Sequence, residues 1–193
     1  MHGRDEQPTV TRNPPFLPGS YLVVELTNQC SLRCVHCSVS DQTDLHYQQN
    51  GFMQPSLFTQ LIDDLVDVES HFQTLILFWL GEPLLHPQFA DLWRHAVRAA
   101  NQHHIFDQIE VHTNATHLTR EMSRAITNEG LVPQMWHFSL DANTTDTYLR
   151  IKGRDRFTQV VDNIKYFLHL RQQLGARWPR PIFQFIVGEN NED

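Results

Sequence analysis

Two rhythms of apolar residues alternate along this chain. Segments 21–26 (YLVVEL), 74–80 (TLILFWL), 108–113 (QIEVHT), 134–140 (QMWHFSL) and 182–187 (IFQFIV) are short, mostly apolar runs and read as strands buried on both faces. Between them the apolar positions fall at helical spacing. Leu57, Phe58, Leu61, Ile62, Leu65 and Val66 follow Pro55, which suits a first helical turn. Phe89, Leu92, Trp93, Ala96 and Val97 mark a second helix, and Phe157, Val160, Val161, Ile164, Phe167 and Leu168 mark a later one. Between these two, Thr119 offers a helix cap and Gly130 a stop. Apolar strands alternating with amphipathic helices predict a parallel α/β sheet covered by helices. Trp79, Trp93 and Phe167 are expected to pack in its core.

In such a sheet every strand-to-helix loop emerges at the carboxyl edge, where ligands bind. The five loops here are unusual and polar: the first holds CSLRCVHC, the second GEPLLHP, the third TNATHL, the fourth SLDANTTDTYLRIKG and the fifth GENNED. They converge on one mouth.

Composition narrows the class. The chain of 193 residues, 40% of them hydrophobic, can bury one sizeable core and is short for two, so residues 20–193 are expected to form one domain behind a Pro-rich lead-in at 1–19. That lead-in carries charges and four prolines where a signal peptide needs an apolar run, and no apolar stretch reaches spanning length, so a cytoplasmic protein without a membrane partner is expected. A formal charge of -7 argues against a broad nucleic-acid surface.

All three cysteines, Cys30, Cys34 and Cys37, lie in the first loop. Their odd number and the lack of a distant partner speak against a stabilising disulfide and for ligation of one shared centre. An iron–sulfur cube held by three thiolates keeps its fourth iron open to an exogenous ligand. The alternative is a zinc site completed by His36 or another of the twelve histidines, although C-x3-C-x2-C lacks the paired knuckles of a zinc ribbon.

With these motifs in this order, the chain from about residue 21 onward resembles the radical S-adenosylmethionine (radical SAM) enzymes. CSLRCVHC matches the family's C-x3-C-x2-C. GEP at 81–83 resembles Gly-Gly-Glu-Pro, TNA at 113–115 resembles Thr-Asn-Gly, and SLDA at 139–142 resembles Ser-Leu-Asp-Gly. The resemblance implies a (β/α)6 TIM-like barrel, of which about five βα units are present. It implies a 4Fe-4S cluster on Cys30, Cys34 and Cys37 whose open iron binds the amino and carboxylate groups of S-adenosyl-L-methionine (SAM). It further implies Gly81, Glu82 and Pro83 at the SAM amino group, with Asn114, Ser139, Asp141 and Arg150 as candidates for the carboxylate and ribose. The implied chemistry is reductive cleavage of SAM, fed by a ferredoxin or flavodoxin.

The 139–168 stretch is most similar to the branch that modifies peptides and proteins, whose members often add a SPASM-type domain with further cysteines. No cysteine beyond the three occurs here. The similarity of that stretch still implies a peptide or protein substrate; the missing cysteines speak for the alternative, a small metabolite, and a non-catalytic cluster- or zinc-binding module or inactive fragment is the reading of another class.

Departures from the family pattern are Leu80 in place of a glycine, Ala115 and Ala142 in place of glycines, and His36 in a slot that is often aromatic. Because Ala resists positive φ, the third and fourth loops are expected to shift. Bland roles compete at several positions: turn-shaping for Glu82 and His86, helix-capping for Asp141 and Asn143, and a solvated charge for Arg33. The chain stops just after the fifth strand, where six βα units need roughly 190 residues plus loops. Its free edge is expected to be covered by a downstream segment or a partner subunit that completes the barrel.

Overall fold

The computed structural model describes residues 20–40, 51–127, 130–189 and 191. The lead-in assigned to 1–19 lies outside the described residues. Five strands, β1 (Tyr21–Val23), β2 (Phe72–Leu77), β3 (Phe106–Thr113), β4 (Gln134–Ser139) and β5 (Arg180–Gln184), form one sheet in chain order, and all four pairings are parallel. The helices are α1 (Pro55–Asp67), α2 (Phe89–His103), α3 (Arg120–Ile126), α4 (Thr145–Lys152) and α5 (Phe157–Leu174). This is the α/β arrangement of a partial TIM-like barrel.

The core lies between the sheet and its helices. Leu75, Leu77, Ile109, Val111, Trp136 and Phe138 alternate along β2–β4 and are fully enclosed against Phe58 and Ile62 of α1, Phe89 and Trp93 of α2 and Phe167 of α5. Trp136 is boxed by rings, with centroids 5.5 Å from Trp93 and 5.9 Å from Phe89. Each such side chain contributes about 1.5–3 kcal/mol through burial. The intervening residues face the other way, and there the strands are less apolar than a sheet covered on both sides requires: Gln108, Glu110 and His112 on β3, and Met135, His137 and Ser139 on β4, are only partly covered. That half-open face is the barrel interior.

Several boundaries differ from the periodic reading. β1 ends at Val23, although Val24 still donates to the Ile76 carbonyl (2.9 Å) and Leu26 is buried. β5 sits two to three residues earlier than expected, leaving Phe185, Ile186 and Val187 exposed beyond the ladder. Trp79 is 59% exposed because β2 ends at Leu77 and the chain has already turned, whereas Trp93 and Phe167 are buried as expected. Thr119 does cap α3, accepting from the Met122 amide (3.1 Å), but that helix stops at Ile126, ahead of Gly130.

The fourth loop is the main correction. It contains helix α4, whose eight residues lack a long apolar stripe. Its cap is neither Asp141 nor Asn143 but Thr144, which accepts from the Thr147 amide, and it ends at Gly153 in the left-handed region.

Candidate active site at the carboxyl edge of the sheet

The described part of the loop after β1 has almost no regular structure of its own, so its shape is imposed from outside. Met53 donates to the Leu26 carbonyl (2.8 Å), and Thr27 pairs across an isolated bridge with Phe52. The C-terminal end of α4 grips the cysteine segment directly: the Arg33 and Val35 amides donate to the carbonyls of Lys152 (3.0 Å) and Ile151 (2.9 Å). These carbonyls are the orphan acceptors that every helix end leaves. The approach is close enough that a Cβ on Gly153 would lie 2.3 Å from the Arg33 carbonyl oxygen. Arg33 is not a solvated charge, since its guanidinium donates to the carbonyls of Cys30 (2.9 Å) and Leu32 (2.7 Å) and braces its own loop.

The loop after β2 meets the cysteine loop edge on. The Leu80 and Gly81 amides both donate to one oxygen of Glu25 (2.8 and 2.9 Å), and Glu82 donates its amide to the Gln29 carbonyl (2.7 Å). A Cβ at residue 81 would fall 1.8 Å from the Thr27 carbonyl oxygen, so glycine is required there by contact. Leu80 keeps the position where the family pattern has glycine because its amide, not a close approach, is what the structure uses. The Glu82 carboxylate is buried and receives the Leu84 amide (3.1 Å), the Thr113 hydroxyl (2.6 Å) and the Asn114 amide (2.8 Å). Burial pushes its pKa up to about 7, against the pull of these three donors. Pro83 opens the short helical turn Pro83–Leu85 and is buried. His86 shapes that turn, with Nε2 facing the Met53 carbonyl (2.9 Å) and Nδ1 accepting from the Gln88 amide (3.1 Å).

After β3, Ala115 adopts φ 60°, so the alanine takes the left-handed conformation it was expected to resist. Donors hold it there: its amide reaches Thr113 Oγ1 (2.9 Å) and Asn163 Nδ2 donates to its carbonyl (2.9 Å). Asn114 turns its side-chain amide toward Cys30 Sγ (3.6 Å) while its Oδ1 accepts from Thr116. After β4 the left-handed residue is Asp141 (φ 56°), not Ala142. Asp141 forms a buried ion pair with Lys152 and accepts the Ile186 amide (2.7 Å).

Cys30, Cys34, Cys37, Gly81, Glu82, Asn114, Ser139 and Asp141 line one cavity of about 650 Å³, with Leu32, Phe78 and Leu80 as apolar wall. Arg150 does not reach it. It is exposed on α4, two residues and thus about 200° around the helix from Lys152, whose ammonium is the cation that faces the cavity. Glu25 and Lys152 were missed in the sequence. Lys152 was discoverable only as a lysine two residues past Arg150 in a helix that propensity did not announce.

The three thiols are unpaired and partly buried. Among the described residues, the three donor atoms that gather within 4.8 Å of one another belong to Glu110, His112 and His137, not to the cysteines. Thiolates sharing one zinc, at about 2.3 Å each, would stand roughly 3.8 Å apart. Burial raises the Cys30 thiol to about 11 and also raises Cys34, so without a bound cation these sulfurs stay protonated at neutral pH.

Residues 24–173 match the Radical SAM superfamily. The chain belongs to that family. The radical SAM cofactor pair is a 4Fe-4S cluster and SAM, and the donor set fits it: three thiols on one cavity wall, with the Leu32 amide (3.5 Å) and Asn114 Nδ2 directed at Cys30 Sγ. A tungsten-containing aldehyde ferredoxin oxidoreductase cofactor-modifying protein of Pyrococcus furiosus is 26% identical over 171 residues, covering 89% of this chain and 44% of that protein. A GTP 3',8-cyclase of Chlorobaculum tepidum is 31% identical over 140 residues, covering 72% of this chain and 38% of that enzyme. The chain thus spans less than half the length of these relatives. SuiB of Streptococcus suis, solved with S-adenosylmethionine, shares the fold with a TM-score of 0.63 at 14% identity, over 86% of this chain and 33% of SuiB. No helix among the described residues is long and apolar enough to cross a membrane.

Proposed function

We propose that this radical SAM chain binds a 4Fe-4S cluster on Cys30, Cys34 and Cys37 and cleaves SAM reductively to start radical chemistry on a peptide or protein. The observation that carries the reading is the meeting of three unpaired thiols with the Gly81–Glu82 segment on one cavity wall. When bound, the pair supplies one-electron cleavage of a carbon–sulfur bond and hydrogen abstraction from substrate.

The protein's own part is binding, orientation and exclusion of water. Gly81 lets the second loop close on Thr27, so that backbone carbonyls at the sheet edge can accept from the SAM amino group. Asn114 and Ser139 are donors for its carboxylate and ribose. Asp141, with one oxygen on Lys152 and the other on the Ile186 amide, acts as the post that fixes the fifth loop beside the fourth. Pro83 sets the turn that follows Glu82 and so helps hold the Gly81–Glu82 segment at the SAM amino group. Leu32, Phe78 and Leu80 keep water from the reacting face.

Peptide precedent comes from SuiB, solved bound to its precursor peptide SuiA. A small-molecule substrate is the second reading, favoured by the sequence relatives named as GTP 3',8-cyclases. A ferredoxin or flavodoxin is the proposed electron donor and the cytoplasm the proposed compartment, in keeping with three reduced thiols. Further barrel units, from the same polypeptide or a partner, are proposed to cover the β5 edge, where Phe183, Phe185, Ile186 and Val187 stand exposed.

The test is product analysis under strong reductant. Formation of 5'-deoxyadenosine from SAM supports the reading, and its loss in a Cys34→Ala variant ties it to the thiols. SAM binding without cleavage would make the chain a binding module instead. Anaerobic incubation with cell extract in heavy water, followed by separate searches of proteins and metabolites, distinguishes the two substrate classes.

A further inference from the structure

The half-open face of the sheet carries a second cluster of donor atoms. We propose that Glu110, His112 and His137 form a binding site for a divalent first-row transition metal, of the two-histidine, one-carboxylate type. This inference uses none of the thiols and goes beyond the proposed radical chemistry.

Geometry carries it. The parallel register puts His112 directly opposite His137, and Glu110 one pleat down the same face of β3. Glu110 Oε2 lies 3.4 Å from His112 Nε2 and 3.7 Å from His137 Nε2. Ligands about 2.0–2.1 Å from a tetrahedral ion stand roughly 3.4 Å apart, so both spacings from Glu110 are near what one shared ion requires. The carboxylate is already oriented: Gln108 Nε2 donates to its other oxygen (2.7 Å) and also reaches Thr74 Oγ1 (3.2 Å), leaving Oε2 toward the imidazoles. Such outer partners are what fix a metal-binding carboxylate.

His137 supplies the second observation. Both its ring nitrogens are buried without a hydrogen-bond partner among the described residues, a state that calls for an explanation. A plain ion pair with Glu110 is a poor one. The His112 and His137 rings stack at 4.1 Å and 7°, and two imidazolium rings would repel at that distance. A neutral imidazole keeps a lone pair for a metal. The stacked rings place their lone pairs in parallel planes, so ligation needs a turn about the soft χ2 torsion to converge them.

Position suggests a use. His137 is two residues below Ser139 on the same strand face, about 7 Å from the cavity rim. Phe78 both lines the cavity and stacks on His112 at 5.0 Å. An ion held there with open positions toward the interior would take an oxygen or nitrogen donor from a substrate above it.

Cobalt(II) is the probe. The cluster-reconstituted chain, dialysed anaerobically against Co2+, should retain one cobalt per chain beyond its iron, and X-ray absorption at the cobalt edge should show nitrogen and oxygen ligands with imidazole scattering and no sulfur. A chain with Cys30, Cys34 and Cys37 all replaced by alanine should bind cobalt the same way, which separates this site from the thiols. Glu110→Gln and His137→Gln should lose the ion, and Gln108→Leu should weaken it about 10–100-fold. Sulfur in the cobalt shell, no cobalt retained by wild type, or unchanged affinity in folded Glu110→Gln would overturn the proposal. If a variant fails to fold, the wild-type ligand shell decides.

Discussion

The loops after β2 and β4 each bury a carboxylate at the same cavity, and they neutralise it in different ways. Glu82 has only neutral donors, two amides and a hydroxyl, and burial raises its pKa to about 7. Asp141 has a full countercharge in Lys152, and both side chains are 2% exposed or less. The first arrangement is local, linking β2 to its neighbour β3. The second is an anchor at long range, because Lys152 also offers its carbonyl to Arg33 and Asp141 also takes the Ile186 amide. One loop orients, while the other holds four segments together.

Removing the cation should therefore have the largest effect. Lys152→Met leaves Asp141 buried without its partner, and such losses cost about 3–5 kcal/mol. Urea denaturation should show that drop, and hydrogen exchange at the Arg33 and Val35 amides should rise with it. The double variant Lys152→Met with Asp141→Asn should recover much of the stability, since removing both charges leaves neither uncompensated and Asn tolerates the left-handed backbone at 141. No recovery would mean that Lys152 matters through its packing more than through its charge.

Glu82→Gln should cost less, about 1–3 kcal/mol, because one of its oxygens becomes a donor facing donors. The pH response sharpens the contrast. With its pKa raised from 4.5 to about 7, folded Glu82 holds a proton that the unfolded chain has released between those values. Its contribution to stability is thus present at the acid end of that window and falls as pH rises toward 7, by an amount on the order of 3 kcal/mol. Denaturation from pH 5 to 8 should show the slope in wild type and a smaller one in Glu82→Gln. Equal slopes would place the titration elsewhere.

The smallest effect tests α4 itself. Thr144→Ala removes its cap and should lower stability by about 1 kcal/mol. Fraying there should be felt as faster exchange in the cysteine loop, although residue 144 touches no cysteine.

What could be read from the sequence follows this division. Cys30, Cys34, Cys37, Gly81 and Glu82 sit in short motifs directly after apolar strands, where local pattern and loop position suffice. The parallel α/β order was legible for the same reason. Helix α4 was not, because residues 145–152 bury Thr147, Tyr148, Ile151 and Lys152, a face half polar in composition that hydrophobic periodicity cannot mark. With the helix unseen, Arg150 looked as eligible as Lys152, and only the 100° step per residue separates them. Ala115 misled in the opposite direction, since its strained backbone is held by Thr113 and by Asn163 from α5, a partner 48 residues away. Trp79 was assigned to the core from a strand read three residues too long.

The most direct test of the account is the metal content of the anaerobically reconstituted chain. Iron, acid-labile sulfide and the visible spectrum should give about four irons per chain with broad absorption. Replacing Cys30, Cys34 and Cys37 together by alanine should abolish both. Stoichiometric zinc without that absorption, or iron retained by the triple variant, would contradict it.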